Sequence, residues 1–451
     1  MPDSLPHTSA PREKPRGLHA LGTNFGWLLA EKLVRWIVGL SVAALVARHL
    51  GPDDFGRLNL ALAFVALFAS IAGAGIENLL SRDLIRHPAQ AAEILATVML
   101  VRLAAGLGAL LLVGGALAGT FMMGGAGLPV GVIVILSSGL LIQAGEVFEL
   151  WFQSQLQARR AVFMKSLAFL LFSGVRLGLV AAKAPVEAFA WALAGEAALA
   201  VVGLGGIYLA TGKAPGRWSF HGERATALLR ESWPNLLSAL AIAVYMRADR
   251  LVLASHADDA TVGIYGAAAT LTELWYILPT ALITTVTPAL TREHQADPAR
   301  YWQRLRQLAQ GLALLGWIIL VGLSLSARPI ITALFGAQFV EAASLLPAMM
   351  ASTLFAFVGM GVSPWYLNAG AMRLAFRRHA LGAAVGLGLN LMLVPRWGAP
   401  GAAWATTAAF ATAHWWSNAI DSRTRPLFWL QTRALLFGSL SQLKPSALLR
   451  R

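Results

Sequence analysis

Apolar stretches of about 20 residues recur along almost the entire chain, and each is long enough to cross roughly 30 Å of hydrocarbon. No segment of ordinary soluble composition fits between them. A chain patterned this way has one class of fold open to it, a polytopic bundle of membrane-spanning helices. The charge content agrees: 13% of the 451 residues are Asp, Glu, Lys or Arg, where a soluble domain carries about a quarter.

Twelve spans are expected, over 25–47, 58–80, 91–118, 128–150, 162–182, 188–210, 232–255, 262–290, 304–327, 345–368, 376–394 and 400–420. The start, "MPDSLPHTSAPREKPRG", is polar and Pro-rich without an apolar core, so the first span reads as an uncleaved anchor. With the N-terminus placed inside, 25 of the 36 Lys and Arg residues fall in cytoplasmic segments, five outside and six within spans. That bias sets the orientation, with both termini cytoplasmic. It also accounts for the net charge of +14 without nucleic acid as a partner. The absence of Cys excludes disulfides, thiolate metal sites and thiol nucleophiles.

The expected organisation is a cytoplasmic tail 1–24, a six-helix bundle 25–210, a cytoplasmic linker 211–231, a second six-helix bundle 232–420 and a tail 421–451. The tail "RPLFWLQTRALLFGSLSQLKPSALLRR" reads as an amphipathic helix lying in the interface, because a crossing there would bury Arg433 and leave three basic residues outside. The two halves resemble each other. "DFGRLNLALAFVALF" after span 1 lines up with "TVGIYGAAATLTELW" after span 7, placing Gly56 opposite Gly263, each preceded by an Asp pair (Asp53–Asp54, Asp258–Asp259). Two copies in one orientation are related by an axis along the membrane normal, an arrangement suited to rocking around a central cavity.

The Asp53–Asp54 pair admits a catalytic reading and a structural one. Gly51 and Pro52 end span 1, and Asp53 or Asp54 is placed to accept backbone N–H bonds at the start of span 2. A membrane glycosyltransferase needs a sizeable outer loop for its acceptor, and every outer connection here is short. The capping reading is the expectation.

"ARHLGPDDFGRLNLALAFVALF" resembles the first outer turn of bacterial polysaccharide exporters in the multidrug/oligosaccharidyl-lipid/polysaccharide superfamily, and is similar to the Wzx-type oligosaccharide flippases in particular. "SWPNLLSALAIAVYMRADRLVLA", "VGIYGAAATLTELWYILPTAL", "LFGAQFVEAASLLP" and "LNLMLVPRWGAPGAAWATTAAF" follow the same family pattern in the same order. The end departs from it: many relatives carry two further spans. The resemblance implies an all-α fold of two six-helix bundles around a central cavity.

An ionisable group at mid-membrane costs roughly 2.5–3.5 kcal/mol on insertion scales, so those retained face a cavity or one another. In span 1, Asn24, Glu31 and Arg35 share a face, with Lys32 beside them, and read either as a self-neutralising packing pair or as a cavity wall. In span 7, Asn235, Ser238, Tyr245 and Asp249 form a stripe, with Arg247 and Arg250 on the adjoining face. The Arg-x-Asp element matches the family pattern, which implies a cavity role for Arg247 and Asp249. Arg102, Arg176, Glu196 and Glu273 are single charges in other spans, open to pairing across helices or to contact with cargo. Arg176 sits within Gly174-x-x-x-Gly178, a spacing read as close helix packing, as is "GLGG" at 203–206. His414 reads as a hydrogen-bonded packing residue.

The substrate-binding candidates are therefore Lys32, Arg35, Arg102, Arg176, Arg247 and Asp249, and the ion-coupling candidates Glu31, Asp249 and Glu273. There is no phosphate-binding G-x-x-x-x-G-K-[ST] loop, no H-E-x-x-H and no G-x-S-x-G, so neither cofactor nor metal is expected and no enzyme chemistry is legible. The resemblance implies a flippase in the bacterial inner membrane that moves undecaprenyl-diphosphate-linked oligosaccharide outward for exopolysaccharide or O-antigen export. Its partners would be that lipid, the surrounding membrane lipids and the polysaccharide polymerase and export machinery. A cation-coupled multidrug antiporter of the same superfamily and a membrane glycosyltransferase or polymerase are the rival readings.

Overall fold

In hydrocarbon a helix satisfies each backbone N–H and C=O within its own segment, and the apolar runs fold accordingly. The computed structural model describes residues 18–122, 128–211 and 217–436, with side chains from residue 35 onward, Thr211 apart. Among these residues there are helices and turns and no strand. Nine segments of the described residues are long and apolar enough to cross a membrane, and two of them, Arg35–Arg86 and Met372–Ile420, are long enough for two crossings each. The helix Gly222–Ala254 supplies one more; Asn235, Arg247, Asp249 and Arg250 lower its hydropathy. All twelve spans are present.

Spans 1 and 2 form one helical run, Leu18–Ala72, bent at Gly51 (φ +74°), a value that disfavours any residue bearing a Cβ. Span 2 ends in a turn and the short helix Glu77–Arg86. Spans 3, 5 and 6 are Ala91–Met122, Ala158–Ala181 and Val186–Thr211, while span 4 is broken between Val130–Ser137 and Val147–Ser154. Span 7 is Gly222–Ala254. Span 8 runs from Asp259 to Glu273, passes through a 3-10 turn, Leu274–Tyr276, and resumes as Ile277–Ala296. Span 9 is Pro298–Leu325 and span 10 Ala342–Gly361, with the short helix Ala327–Phe335 between them. Spans 11 and 12 repeat the design of 1 and 2: Met372–Ala411 is one run bent at Gly398, here followed by a π-turn, Thr412–Trp416.

Spans 1–6 pack as one bundle and 7–12 as another, and the two meet in a tight seam at the face opposite the chain's excess of Lys and Arg (the basic face). A Cβ on Gly56 would lie 1.9 Å from the carbonyl oxygen of Asp259, and a Cβ on Gly263 would lie 1.9 Å from that of Pro52. One turn further on, a Cβ on Gly266 would lie 2.7 Å from the Asn59 side chain. Positions 52, 56 and 59 therefore meet 259, 263 and 266 in matching register, as expected for two copies facing across a two-fold axis. The sequence repeat is the seam itself.

The Asp pairs divide their work differently from the capping expectation. Asp54 pairs with Arg57 at 3.1 Å, and Arg57 reaches across the seam to Asp259 at 2.9 Å. Gly51 interrupts the helix, which restarts at Pro52, so Asp53 and Asp54 stand in the first turn of the second helix, where its dipole favours negative charge. In the second copy the cap does form: Asp258 Oδ1 accepts from the Thr261 N–H at 2.9 Å, and the Thr261 side chain, followed by this N–H, lowers the Asp258 pKa. Gly174 and Gly178 also differ from expectation, since a Cβ at either would meet open space; Gly203 packs on Met164 as expected.

The final described helix, Arg425–Leu435, does not lie flat. Pro426 and Trp429 share a cleft with Trp302 and Arg306, while the Leu435 carbonyl accepts from the Trp317 indole at 3.0 Å, three turns further along span 9. The helix thus stands beside span 9. Gln431, fully buried, donates to the carbonyl of His414 at 2.7 Å and of Val358 at 3.2 Å, satisfying groups around the π-turn. Residues 437–451 of the expected tail lie outside the described residues.

Candidate functional site

Within the first bundle, spans 1, 2, 4, 5 and 6 enclose a cavity of about 380 Å³ whose wall includes Arg35, Gln143, Glu146, Glu149, Lys165 and Glu196. Apolar spans converge on this charged interior because each acid has been given a base. Glu149 takes Lys165 at 2.9 Å, Glu146 takes Arg102 at 3.4 Å, and Glu196 is bound by Arg176 from the neighbouring span. Arg35 differs. Its guanidinium stands 4.9 Å from the centre of the Phe169 ring, and among the described residues no carboxylate pairs with it. A cation held on an aromatic face keeps its planar fork available for oxygens.

The remaining candidates divide into two groups. Arg102 is fully buried between Glu77 and Glu146, each at 3.4 Å, so it ties the ends of spans 2, 3 and 4 together and does not line the cavity. Arg176 closes spans 5 and 6 through Glu196. The side chains of Asn24, Glu31 and Lys32 lie outside the described residues.

In the second bundle, Arg247 Nη1 donates to Glu273 at 2.8 Å, and Arg250 binds the same carboxylate. Asp249, nearly fully buried, accepts from the Tyr265 hydroxyl at 2.5 Å, the Thr406 hydroxyl at 3.1 Å and the Arg250 N–H at 2.8 Å. Two arginines thus share one carboxylate while Asp249 is engaged by hydroxyls. Tyr245 lies between His379 and His414, with its hydroxyl 3.5 and 3.4 Å from their ring nitrogens.

Glu273 sits at the last turn before span 8 breaks. The broken ladder leaves the Leu274 carbonyl to an outside donor, and the Trp36 indole of span 1 supplies it at 3.0 Å, with the Trp36 and Trp275 rings 5.3 Å apart. The neighbours of Arg35 and Glu273 in sequence therefore touch each other across the gap between bundles. Beyond the break, Thr280, Thr284, Thr287 and Thr291 follow at spacings of four, three and four, hence on one face. Thr280, Thr284 and Thr291 are exposed, and this half of span 8 packs against spans 9 and 10 of its own bundle. That stripe was not among the sequence candidates; its only signal is the repeated Thr.

At the basic face a second contact joins the bundles. Arg82 binds Glu231 through both nitrogens, one at 2.9 Å, and Asn235 reaches the Gly75 carbonyl at 3.5 Å. Spans 2 and 7 are thus closed on that face.

Two helical bundles meeting along a two-fold seam, with charged groups on both sides of the gap, define a polytopic membrane protein with the fold of solved transporters of the multidrug/oligosaccharidyl-lipid/polysaccharide superfamily. The family model for "Polysaccharide biosynthesis protein" matches residues 21–294, more than half of the chain, and the chain belongs to that family. Among solved structures it is similar to the inward-closed conformation of the lipid II flippase MurJ (13% identity, 94% of this chain and 93% of that one, TM-score 0.69). It is also similar to the inward-facing conformation of a multidrug resistance MATE family transporter of the same superfamily (17% identity, 90% and 96%, TM-score 0.67) and to an outward-facing MATE conformation (16% identity, 91% and 96%, TM-score 0.58). No curated protein sequence matches.

Proposed function

We propose that this chain moves a lipid-linked oligosaccharide, carried on undecaprenyl diphosphate, from the inner to the outer leaflet of the bacterial cytoplasmic membrane by alternating access. Sugar hydroxyls and a diphosphate do not cross hydrocarbon unpartnered, whereas the polyprenyl tail already belongs there. The head group passes between the bundles, along the Thr stripe of span 8 and the wall carrying Arg35. The tail stays in lipid, leaving through the gap between spans 1 and 8. Membership of the polysaccharide biosynthesis family supports the cargo class, and contacts between the bundles at both faces support a closed state between the inward-open and outward-open ones.

The observation that carries this reading is Arg35. Around it, among the described residues, every acid lining the first-bundle cavity is neutralised by a base, so the guanidinium is left to fork the phosphate oxygens. With the inside negative, each negative charge moved outward gains about 2.3 kcal/mol per 100 mV, enough to bias the direction. Counter-movement of Na⁺ or H⁺ would use Glu31, Asp249 or Glu273.

The test is removal of the protein, with the leaflet distribution of lipid-linked oligosaccharide as the readout. Accumulation on the cytoplasmic leaflet is expected, and Arg35→Ala should cut export below about a tenth while the protein remains in the membrane. Uptake of a cationic dye by reconstituted vesicles, with normal glycan export in the deletion, would replace this reading by the multidrug antiporter.

A further inference from the structure

The cleft between span 9 and the final helix lies away from the gap between the bundles and takes no part in the path above. Its volume is about 540 Å³, and Trp302 and Arg306 line one wall while Trp429 and Arg433 line the other. Arg306, Trp429 and Arg433 are exposed. The arginines nearest to Arg306 in sequence on span 9 have a carboxylate partner: Arg300 and Arg304 share Glu293 at 3.3 and 2.7 Å. Among the described residues none pairs with Arg306 or Arg433.

The sequence explains why. Between Asp297 and Glu341, and again after Asp421, the chain has no Asp or Glu at all. Span 9 and the final helix therefore bring two guanidiniums into one cleft with no acid of their own to separate them. Like charges converging in this way call for an anion from outside. The cleft begins one to two turns into span 9, at the level where Trp and Arg gather between hydrocarbon and water. The polar group available at that level is the phosphate of a lipid.

We infer that this cleft holds the headgroup of an anionic membrane phospholipid. The two guanidiniums fork its phosphate oxygens, and the two indoles flank the join between headgroup and acyl chains. The lipid bridges span 9 and the final helix, and the assignment is independent of what the bundles transport.

The test uses the purified full chain in detergent, incubated separately with phosphatidylglycerol, phosphatidylcholine and a short prenyl diphosphate, with retained lipid counted by intact-complex mass spectrometry. Phosphatidylglycerol is expected to be retained over phosphatidylcholine. Arg306→Gln/Arg433→Gln should weaken that retention about 30-fold, the effect of losing two basic contacts. Arg292→Gln/Arg373→Gln, which removes the same charge from exposed positions elsewhere on the basic face, should leave it unchanged. Equal retention by both double variants, or retention of the prenyl diphosphate alone, overturns the assignment. Arg306→Lys/Arg433→Lys keeps both charges and should retain an intermediate amount of phosphatidylglycerol, which separates loss of the site from loss of the fold.

Discussion

Gly56 and Gly263 face each other across the two-fold seam, each so close to the opposing helix that a methyl group would stand 1.9 Å from a carbonyl oxygen. Residues equivalent by internal repeat are thus residues in contact. Small residues let helix backbones approach this closely in a membrane. The two bundles are consequently in direct backbone contact at the face opposite the basic one.

Gly56→Ala should force the seam apart, at a cost of about 1–3 kcal/mol for overpacking a fitted contact. Gly263→Ala should do the same by symmetry. The expected result is loss of export with near-normal membrane levels, and greater labelling of seam positions from the face opposite the basic one. Unchanged export in both variants would show that the contact is not held during transport.

Glu273 is the only carboxylate paired with the guanidiniums of Arg247 and Arg250 among the described residues. Glu273→Gln leaves two half-buried or buried guanidiniums uncompensated and should destabilise the protein by about 3–5 kcal/mol. Arg247→Ala leaves the Arg250–Glu273 pair intact and should cost less. Thermal unfolding of the purified variants in detergent gives the order; the reverse order would contradict the shared-carboxylate arrangement.

The Arg82–Glu231 contact joins spans 2 and 7 at the basic face. Arg82→Glu should break it, and Arg82→Glu combined with Glu231→Arg should restore export. Hydrogen bonds from Arg82 hold the Glu231 carboxyl below its ordinary value. A lowered native pKa means that the contact is fully present above the unfolded value, about 4.3, and is lost as pH falls through the lowered one. Between about pH 6 and pH 8 it is constant, so export in vesicles should show no pH dependence from this pair.

The Thr stripe can be tested directly because the chain contains no Cys. Thr284→Cys should react with a membrane-impermeant maleimide applied from the basic face, and an added lipid-linked oligosaccharide should protect it. Failure to label would place this face of span 8 against lipid.

The helices and the repeat were legible because both depend on local pattern. Hydropathy located the twelve spans, and the Gly56–Gly263 alignment turned out to be a physical contact. Partnerships were harder to read. Arg102 could not be assigned from sequence, because Glu77 and Glu146 lie 25 and 44 residues away and only the fold brings them to it. Arg35 read as one of a charged group with Glu31 and Lys32, and Arg176 as a single charge; only the fold shows that Glu196 faces Arg176 while Phe169 faces Arg35. The Thr stripe escaped because Thr is neither apolar enough to mark a core nor charged enough to draw notice in a span. The final helix was misplaced in direction by its arginines, which weigh against a crossing but not against standing beside span 9 in a cleft of its own.

The 3-10 turn Leu274–Tyr276 has a mechanical consequence. Span 8 above it belongs to the seam, and the 20 residues below it, Ile277–Ala296, form a leaf about 30 Å long hung from that post. A swing of roughly 20° about the turn would carry the far end of that segment, with span 9 tied to it through Asp297, about 10 Å while the post stays still. On the proposed function, head groups of different bulk would be admitted by how far the door stands ajar, without unfastening the frame.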